Sequence, residues 1–217
     1  MIKSNKNLIN WLGLLGIASF VSYGAAVIFA PSAYPGYDWM SRAVSDLSAA
    51  NAPSLALWHQ LATAYGTAGL VCIMAVCIAI QGKLNKTLRS GIYLFAAMFW
   101  VSVIGFGMFP LSQSGGIDTT FQDIAHFAVT AVVVLLCIAS LVLIMIGGYR
   151  KKRFMSLAIY ATIALVLMFV GAIGTGVAPR EYFGVFQRFS NLIATNGFLM
   201  ILGLYLFLGK LEKEVGS

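Results

Sequence analysis

Apolar residues run along the chain in six long stretches, and short polar segments separate them. The stretches cover residues 8–30, 57–81, 88–109, 124–147, 154–177 and 190–209. A hydrocarbon core about 30 Å thick requires about 20 residues of α-helix, and the strict alternation of a membrane β-strand is absent. The pattern therefore predicts an all-α polytopic membrane protein, with six transmembrane helices in a single domain over residues 1–217.

The first stretch follows Lys3 and Lys6, as the core of a signal peptide would. Its apolar length exceeds that of a typical signal core, and no small-residue cleavage site follows it. We therefore expect a retained helix. The segments 111–123 and 178–189 are too polar to lie in lipid, and they are predicted to be loops.

Composition and charge support a membrane protein with a defined orientation. Of the 217 residues 60% are apolar and 10% are charged, whereas soluble domains carry about 25% charged residues. Eleven of the fourteen Lys and Arg residues lie at the two ends or after the second and fourth stretches. The positive-inside rule therefore predicts that both termini are cytoplasmic. The same bias explains the net charge of +7, so no nucleic-acid partner is expected.

Proline marks the end of every second stretch, at Pro31, Pro110 and Pro179. Proline cannot continue the helical hydrogen-bond ladder, and each of these prolines is followed by a polar segment and a new helix start. The repetition predicts three weakly similar helical hairpins around a common axis.

The polar segment 34–47, YPGYDWMSRAVSDL, combines acids, serines, one arginine and aromatic rings. Pro35-Gly36 is a turn signal, and Asp38 occupies the position of a helix N-cap. A short helix is predicted from Trp39 onward. One interpretation is an interfacial amphipathic helix with aromatic anchors at headgroup depth.

The spacing within this segment also permits a functional interpretation. On a helix, Ser41 and Ser45 would share a face with Asp38, while Arg42 and Asp46 are four residues apart and are expected to pair. Ionisable groups next to a membrane are costly, and they often mark a functional site.

Both histidines are predicted at the same side of the membrane as this segment. Asp123 and His126 are three residues apart, a spacing at which a carboxylate can orient an imidazole, and His59 lies near the start of the second stretch. The third hairpin adds Arg180, Glu181, Arg188 and Asn191. Helix packing is expected to gather these groups in one outward-facing pocket.

Three classes of function could use this set of residues, and two of them receive more support than the third, which is metal-assisted hydrolysis with His59, His126 and a carboxylate. In the first, the pocket binds a lipid headgroup or another amphiphile, because guanidinium groups grip phosphate and carboxylate. Its ligand-binding residues would be Asp38, Ser41, Arg42, His59, Arg180, Arg188 and Asn191. In the second, a lipid hydrolase or transferase uses Ser45 or Ser41 as nucleophile and His126 as base. Asp123 or Asp46 would then orient the imidazole.

Other chemistries receive less support from the sequence. Two histidines without an H-E-x-x-H motif make a poor metal site, so no metal or other cofactor is expected. The centres of the six stretches carry no charged residue, which argues against an ion-coupled carrier. The three cysteines lie within apolar stretches and predict no disulfide framework. The remaining alternative is that these polar segments only seal the helix bundle.

Several motifs of the chain are shared with one bacterial family. A Tyr-Pro pair and WMSRAVSDL follow the first stretch, Phe109-Pro110 ends the third, and His126 opens the fourth. This arrangement resembles the six-helix membrane proteins catalogued as domain of unknown function 998. The resemblance covers nearly the whole chain and rests chiefly on Ser45-Asp46-Leu47, Phe109-Pro110 and His126. It implies a fold and a membrane, and it implies no particular reaction. The expected location is a bacterial plasma membrane.

The hairpin layout is also similar to that of eukaryotic DRAM-like and GPI-anchor-remodelling membrane proteins, a likeness that implies lipid as the ligand. The three-histidine set of the alkaline ceramidase group is missing, which departs from a hydrolase pattern. The working hypothesis is therefore a pocket that binds a membrane lipid or another amphiphile. A lipid hydrolase or transferase that uses Ser45 and His126 is the alternative.

Overall fold

The computed structural model describes residues 6–115 and 120–211. Lys3 and Lys213, two of the basic residues counted in the charge argument, lie outside these ranges. The described residues form helices and connecting turns, without a β-strand. The α-helices are α1 Leu8–Leu12, α2 Leu15–Phe29, α3 Leu55–Leu61, α4 Thr63–Ala79, α5 Lys86–Met108, α6 Phe121–Tyr149, α7 Met155–Val177, α8 Phe183–Arg188 and α9 Gly197–Phe207. Short 3-10 turns cover Ala30–Ala33, Val44–Ser48, Lys152–Phe154 and Arg180–Tyr182, and a π-helix covers Phe189–Asn196.

Six helical segments in the described part are long and apolar enough to cross a membrane. They are span 1 Leu8–Ala33, span 2 Leu55–Ala79, span 3 Lys86–Met108, span 4 Phe121–Tyr149, span 5 Lys152–Val177 and span 6 Arg180–Phe207. The predicted all-α, six-span architecture is confirmed. The grouping into three hairpins and the cytoplasmic termini stay predictions.

Helix ends follow local sequence signals. The N-cap side chain of Asn85 accepts a hydrogen bond from the Leu88 N–H at the start of α5. The helices α5 and α7 each end two residues before a proline, Pro110 and Pro179 respectively, because the residue before proline avoids helical geometry. The predicted span ends at these prolines are confirmed.

Glycine permits the close contacts between spans. A β-carbon at Gly147 in α6 would collide with the backbone of Leu88 in α5, and one at Gly174 in α7 would collide with the Phe186 ring. Small residues allow such contacts in lipid, where apolar burial does not distinguish a neighbouring helix from lipid tails. The bundle interior contains the fully buried rings of Phe95, Phe99 and Phe198.

The prediction of a loop over 178–189 is wrong. This segment forms a 3-10 turn and then α8, which continues through the π-helix into α9 as span 6. Gly171 and Gly174 of α7 leave room for Phe186 and Ser190 to pack closely. Two of the polar side chains that suggested a loop, Gln187 and Arg188, are used in contacts with the segment that follows span 1.

The prediction of a helix from Trp39 is also wrong. The Asp38 carboxylate accepts hydrogen bonds from the Met40 N–H at 3.0 Å and the Ser41 hydroxyl at 2.6 Å. The chain then makes one turn and becomes extended at Ala43, with φ −66° and ψ 150°. Asp38 thus caps a single turn, which ends before the short 3-10 helix Val44–Ser48.

Candidate functional site

The polar residues singled out in the sequence meet at one end of the bundle, here called the long-loop end. It contains the first loop (residues 34–54), the described part of the second loop (109–115) and the start of span 6 (180–188). Hydrogen bonds from the first loop reach both of the other segments, so the three segments form one interlocked layer.

Arg188 in α8 is the main contact between span 6 and the first loop. Its Nη1 donates to the carbonyl oxygens of Gly184 at 2.8 Å and Arg42 at 3.3 Å, and its Nη2 donates to Tyr37 Oη at 3.0 Å. Tyr37 Oη in turn donates to the Ala43 carbonyl at 2.8 Å. Burial raises the pKa of Tyr37, so its hydroxyl keeps the proton that it donates.

Backbone contacts strengthen the same junction. The Val44 N–H donates to Gln187 Oε1 at 2.6 Å, and the Val185 N–H donates to the Met40 carbonyl at 3.2 Å. A β-carbon at Gly184 would collide with the backbone carbonyls of the first loop. The absence of a side chain at this position therefore lets the loop lie directly on α8.

The first loop contacts the second loop through neutral partners. Asp46 Oδ1 accepts a hydrogen bond from the Gly115 N–H at 3.1 Å. Arg42 Nη1 donates to Tyr34 Oη at 2.6 Å, and Tyr34 Oη lies 2.7 Å from Ser114 Oγ. The predicted ion pair between Arg42 and Asp46 is therefore wrong, because the local turn is not helical and each side chain has a partner elsewhere.

Asp123 and His126 are both buried, at 3% and 7% exposure. They form hydrogen bonds with different partners. Asp123 accepts hydrogen bonds from Ser112 N at 2.8 Å, Ser112 Oγ at 2.5 Å and Thr120 Oγ1 at 2.5 Å. His126 Nδ1 lies 2.8 Å from the carbonyl oxygen of Phe109. The imidazole is thus oriented by a backbone carbonyl, and no hydrogen bond joins it to Asp123 in the described part of the chain.

The contact to Phe109 also assigns the tautomer of His126. A carbonyl oxygen only accepts, so Nδ1 carries a proton and Nε2 of the neutral ring is an acceptor. The ring centroid lies 5.0 Å from that of Phe106 and 5.9 Å from that of Phe127. No donor within residues 6–115 and 120–211 forms a hydrogen bond with Nε2.

The residues proposed as a shared pocket belong to separate hydrogen-bond networks. Asp46 binds Gly115, His126 binds Phe109 and Arg188 binds Tyr37, and no hydrogen bond joins any two of the three in the described part of the chain. Likewise, no hydrogen bond among these residues connects Ser45 or Ser41 with His126. The catalytic roles of Ser45, His126, Asp123 and Asp46 stay predictions.

The other predicted ligand-binding residues are distributed over the long-loop end. His59 in α3 and Arg180 are exposed, and Asp38 is an exposed turn residue. The hydrogen bond from Ser41 lowers the pKa of Asp38, and that from the Met40 N–H adds to the effect. Asn191 differs from these residues, because its Oδ1 is buried inside the bundle. Their ligand-binding roles also stay predictions.

An apolar groove on the surface of span 5 was not predicted from the sequence. It has a volume of about 450 Å³ and lies between α7 and α8. Its lining consists of Val166, Phe169, Val170, Ile173, Gly174, Val177, Ala178 and Phe186. The sequence signal was the pair of small residues at 171 and 174, which brings the Phe186 ring against α7.

Comparison with known proteins identifies the family and gives no activity. A family model described as "Protein of unknown function (DUF998)" matches residues 16–205. Because this match covers most of the chain, the chain belongs to the DUF998 family, as its motifs indicated. No curated protein and no solved structure matches the chain.

Proposed function

We propose that this DUF998 protein binds an anionic phospholipid, with one acyl chain in the groove between α7 and α8. The proposed setting is a bacterial plasma membrane, with the long-loop end outside. The observation that carries the proposal is the groove itself, whose volume of about 450 Å³ falls in the range of ligand pockets, about 300–1,000 Å³. Its lining is apolar throughout, which suits a hydrocarbon chain.

The length and position of the groove support an acyl chain as its occupant. The lining residues extend along α7 from Val166 to Val177. At 1.5 Å per residue this distance is about 16 Å, close to half of a hydrocarbon core about 30 Å thick. The groove therefore has the length of one leaflet, and its upper end at Ala178 lies beside the polar layer of the long-loop end.

Arg180 supplies the charge for a headgroup at that end. It is exposed and lies two residues beyond Ala178, which lines the groove. The guanidinium groups of Arg42 and Arg188 are used in contacts that hold the loops, whereas Arg180 forms no hydrogen bond with another described residue. A free guanidinium at headgroup depth favours a phosphate group.

Native mass spectrometry of the purified protein with a mixture of phosphatidylglycerol and phosphatidylcholine tests the proposal. We expect the wild type to retain one phosphatidylglycerol. Ile173→Trp, which fills the groove, should weaken retention about tenfold, equivalent to about 1.4 kcal/mol. Arg180→Gln should remove the preference for phosphatidylglycerol and leave a lipid bound.

Leu135→Trp is the matched control, because Leu135 is 67% exposed on α6 and Ile173 is 58% exposed on α7. Both changes add an indole to an exposed apolar position, and only the second lies in the groove. Equal lipid retention by the two tryptophan variants would contradict the proposal.

A further inference from the structure

Span 6 contains a π-helix over Phe189–Asn196, in which side chains bond backbone carbonyls five positions earlier. Thr195 Oγ1 donates to the Ser190 carbonyl at 2.9 Å, and Asn196 Nδ2 donates to the Asn191 carbonyl at 2.8 Å. Single π-helical turns are rare in proteins, and those that occur are often found at functional sites. This segment therefore places several polar side chains inside a membrane-spanning bundle.

Two carboxamide oxygens in this segment lack a hydrogen-bond donor. Asn191 Oδ1 and Asn196 Oδ1 are both buried, and no described residue donates to either oxygen. Asn196 as a whole is 3% exposed, and its Nδ2 is held by the Asn191 carbonyl. An amide flip at Asn196 would place two oxygens against each other, so the oxygen assignment at that residue follows from the contact. Buried acceptors are rarely left unpaired in native proteins.

Polar groups from other spans lie next to Asn196 and its neighbour Thr195. The Tyr65 side chain interacts with Ser102 and Asn196, and Cys137 Sγ lies 3.8 Å from Thr195 Oγ1. Ser102 and Thr195 are each 7% exposed. The neighbourhood is therefore polar and almost closed to the surface of the bundle.

We infer that the carboxamide oxygens of Asn191 and Asn196 bind water inside the bundle. Both oxygens are hydrogen-bond acceptors, so the species bound to them must donate hydrogen bonds or carry a positive charge. The named neighbours are hydroxyl, thiol and amide groups, none of which carries a negative charge. A cation in that setting would lack a counter-charge, which is costly in a membrane. A water molecule needs only two to four polar partners, which this cluster provides.

Asn191→Leu tests the inference, because the Asn191 side chain forms no hydrogen bond with another described residue. If water binds the Asn191 oxygen, the variant loses that hydrogen bond and leaves the buried water with one partner fewer. Tm in detergent should then fall by about 3–8 °C. If the oxygen is truly unpaired, leucine removes a buried polar atom and Tm should stay equal or rise. Ile193→Leu, at a position 44% exposed, is the control and should leave Tm unchanged.

A structure of the wild-type protein that shows ordered water tests the same point without a variant. We expect an isolated density peak at hydrogen-bond distance, about 2.7–3.2 Å, from each carboxamide oxygen. Empty density at both oxygens, or elongated density of a bound organic molecule, would overturn the inference. The lipid groove between α7 and α8 is tested by separate variants, so either proposal can fail while the other stands.

Discussion

Arg188 Nη2 donates a hydrogen bond of 3.0 Å to Tyr37 Oη, and this contact joins two residues that are 151 positions apart. The same guanidinium also bonds the Gly184 and Arg42 carbonyl oxygens. Arg188 therefore connects the last span to the first loop at two acceptors, Tyr37 Oη and the Arg42 carbonyl. This arrangement gives Arg188 a structural role at the long-loop end, and its predicted contact with a ligand stays a prediction.

Replacement of Arg188 should destabilise the protein. Arg188→Ala removes three hydrogen bonds at once, and we expect a loss of about 2–4 kcal/mol in the free energy of unfolding. Arg188→Lys should recover little of it, because an ammonium group cannot reproduce the guanidinium fork. Thermal unfolding in detergent measures both variants.

Lys151→Ala is the control for this prediction, because Lys151 is exposed at the opposite end of the bundle and should change stability by no more than about 0.5 kcal/mol. An Arg188→Ala variant as stable as this control would show that the contacts with Tyr37 and Arg42 add nothing to stability.

The contact between Asp46 and Gly115 makes a second prediction. Asp46→Ala leaves the Gly115 N–H without its acceptor, at a cost of about 1–3 kcal/mol. Asp46→Asn keeps an oxygen that can accept this hydrogen bond and should cost less. Equal Tm values for the two variants would mean that the 3.1 Å contact does not stabilise the loops.

Gly115 itself offers an independent test of this contact. Its φ is +72°, a region that residues with a β-carbon rarely adopt, and a β-carbon there would lie 3.4 Å from Arg42 Nη1. We expect Gly115→Ala to lower Tm, whereas Gly107→Ala, where nothing lies within 4 Å of the β-carbon, should not strain the backbone. Thermal unfolding of both variants separates backbone strain from a general effect of adding a methyl group.

The six spans could be predicted because apolar length is a local property of the sequence. The start of span 6 could not, since hydropathy counts Gln187 and Arg188 as water-facing. In the fold, both side chains bond the first loop. Their polarity is satisfied by a segment more than 140 residues away, and no local rule reports that contact.

The side-chain pairs predicted within the candidate site do not form hydrogen bonds with each other, for a related reason. The spacing of Arg42 with Asp46, and of Asp123 with His126, suggested local partners on a helix. The actual partners of Asp46 and His126 are backbone groups of the second loop, Gly115 and Phe109. Backbone donors and acceptors leave no signal in residue types, so only the fold reveals these contacts.

Asp38 provides a prediction for pH. Its pKa is lowered by the Ser41 hydroxyl and the Met40 N–H, so its stabilising contribution is present above the unfolded pKa of about 4. The contribution is lost as pH falls through the lower folded value. Ser41→Ala removes the largest cause and should raise the pKa of Asp38 toward the usual range. Carboxyl-carbon NMR of aspartate-labelled protein measures the change.

Ser48→Ala is the matched control for this prediction, because the Ser48 hydroxyl donates to the Ser45 carbonyl at 3.2 Å and forms no hydrogen bond with Asp38. It should leave the Asp38 titration unchanged. An Asp38 pKa that is the same in Ser41→Ala and in the wild type would contradict the turn described here.

His126 permits a separation of structural and chemical roles. Its Nδ1 bonds the Phe109 carbonyl at 2.8 Å, whereas its Nε2 is the nitrogen that a lipid hydrolase would use as a base. In His126→Asn, the amide nitrogen takes the place of Nδ1 and no group replaces Nε2. In His126→Gln, the amide reaches the place of Nε2 and the Phe109 carbonyl loses its donor. We therefore expect the asparagine variant to retain a Tm higher than that of the glutamine variant.

The same pair of variants tests whether Nε2 has a chemical role. Because the proposed lipid lies on α7 and α8, phosphatidylglycerol retention should be unchanged in His126→Asn, and the wild type should form no lipid product. Turnover of phosphatidylglycerol by the wild type, lost in both His126→Asn and Ser45→Ala with retention intact, would favour the hydrolase over the binding protein. A Tm for His126→Asn as low as that for His126→Gln would instead contradict the assignment of the Nδ1 proton, because the two variants differ in which ring nitrogen they imitate.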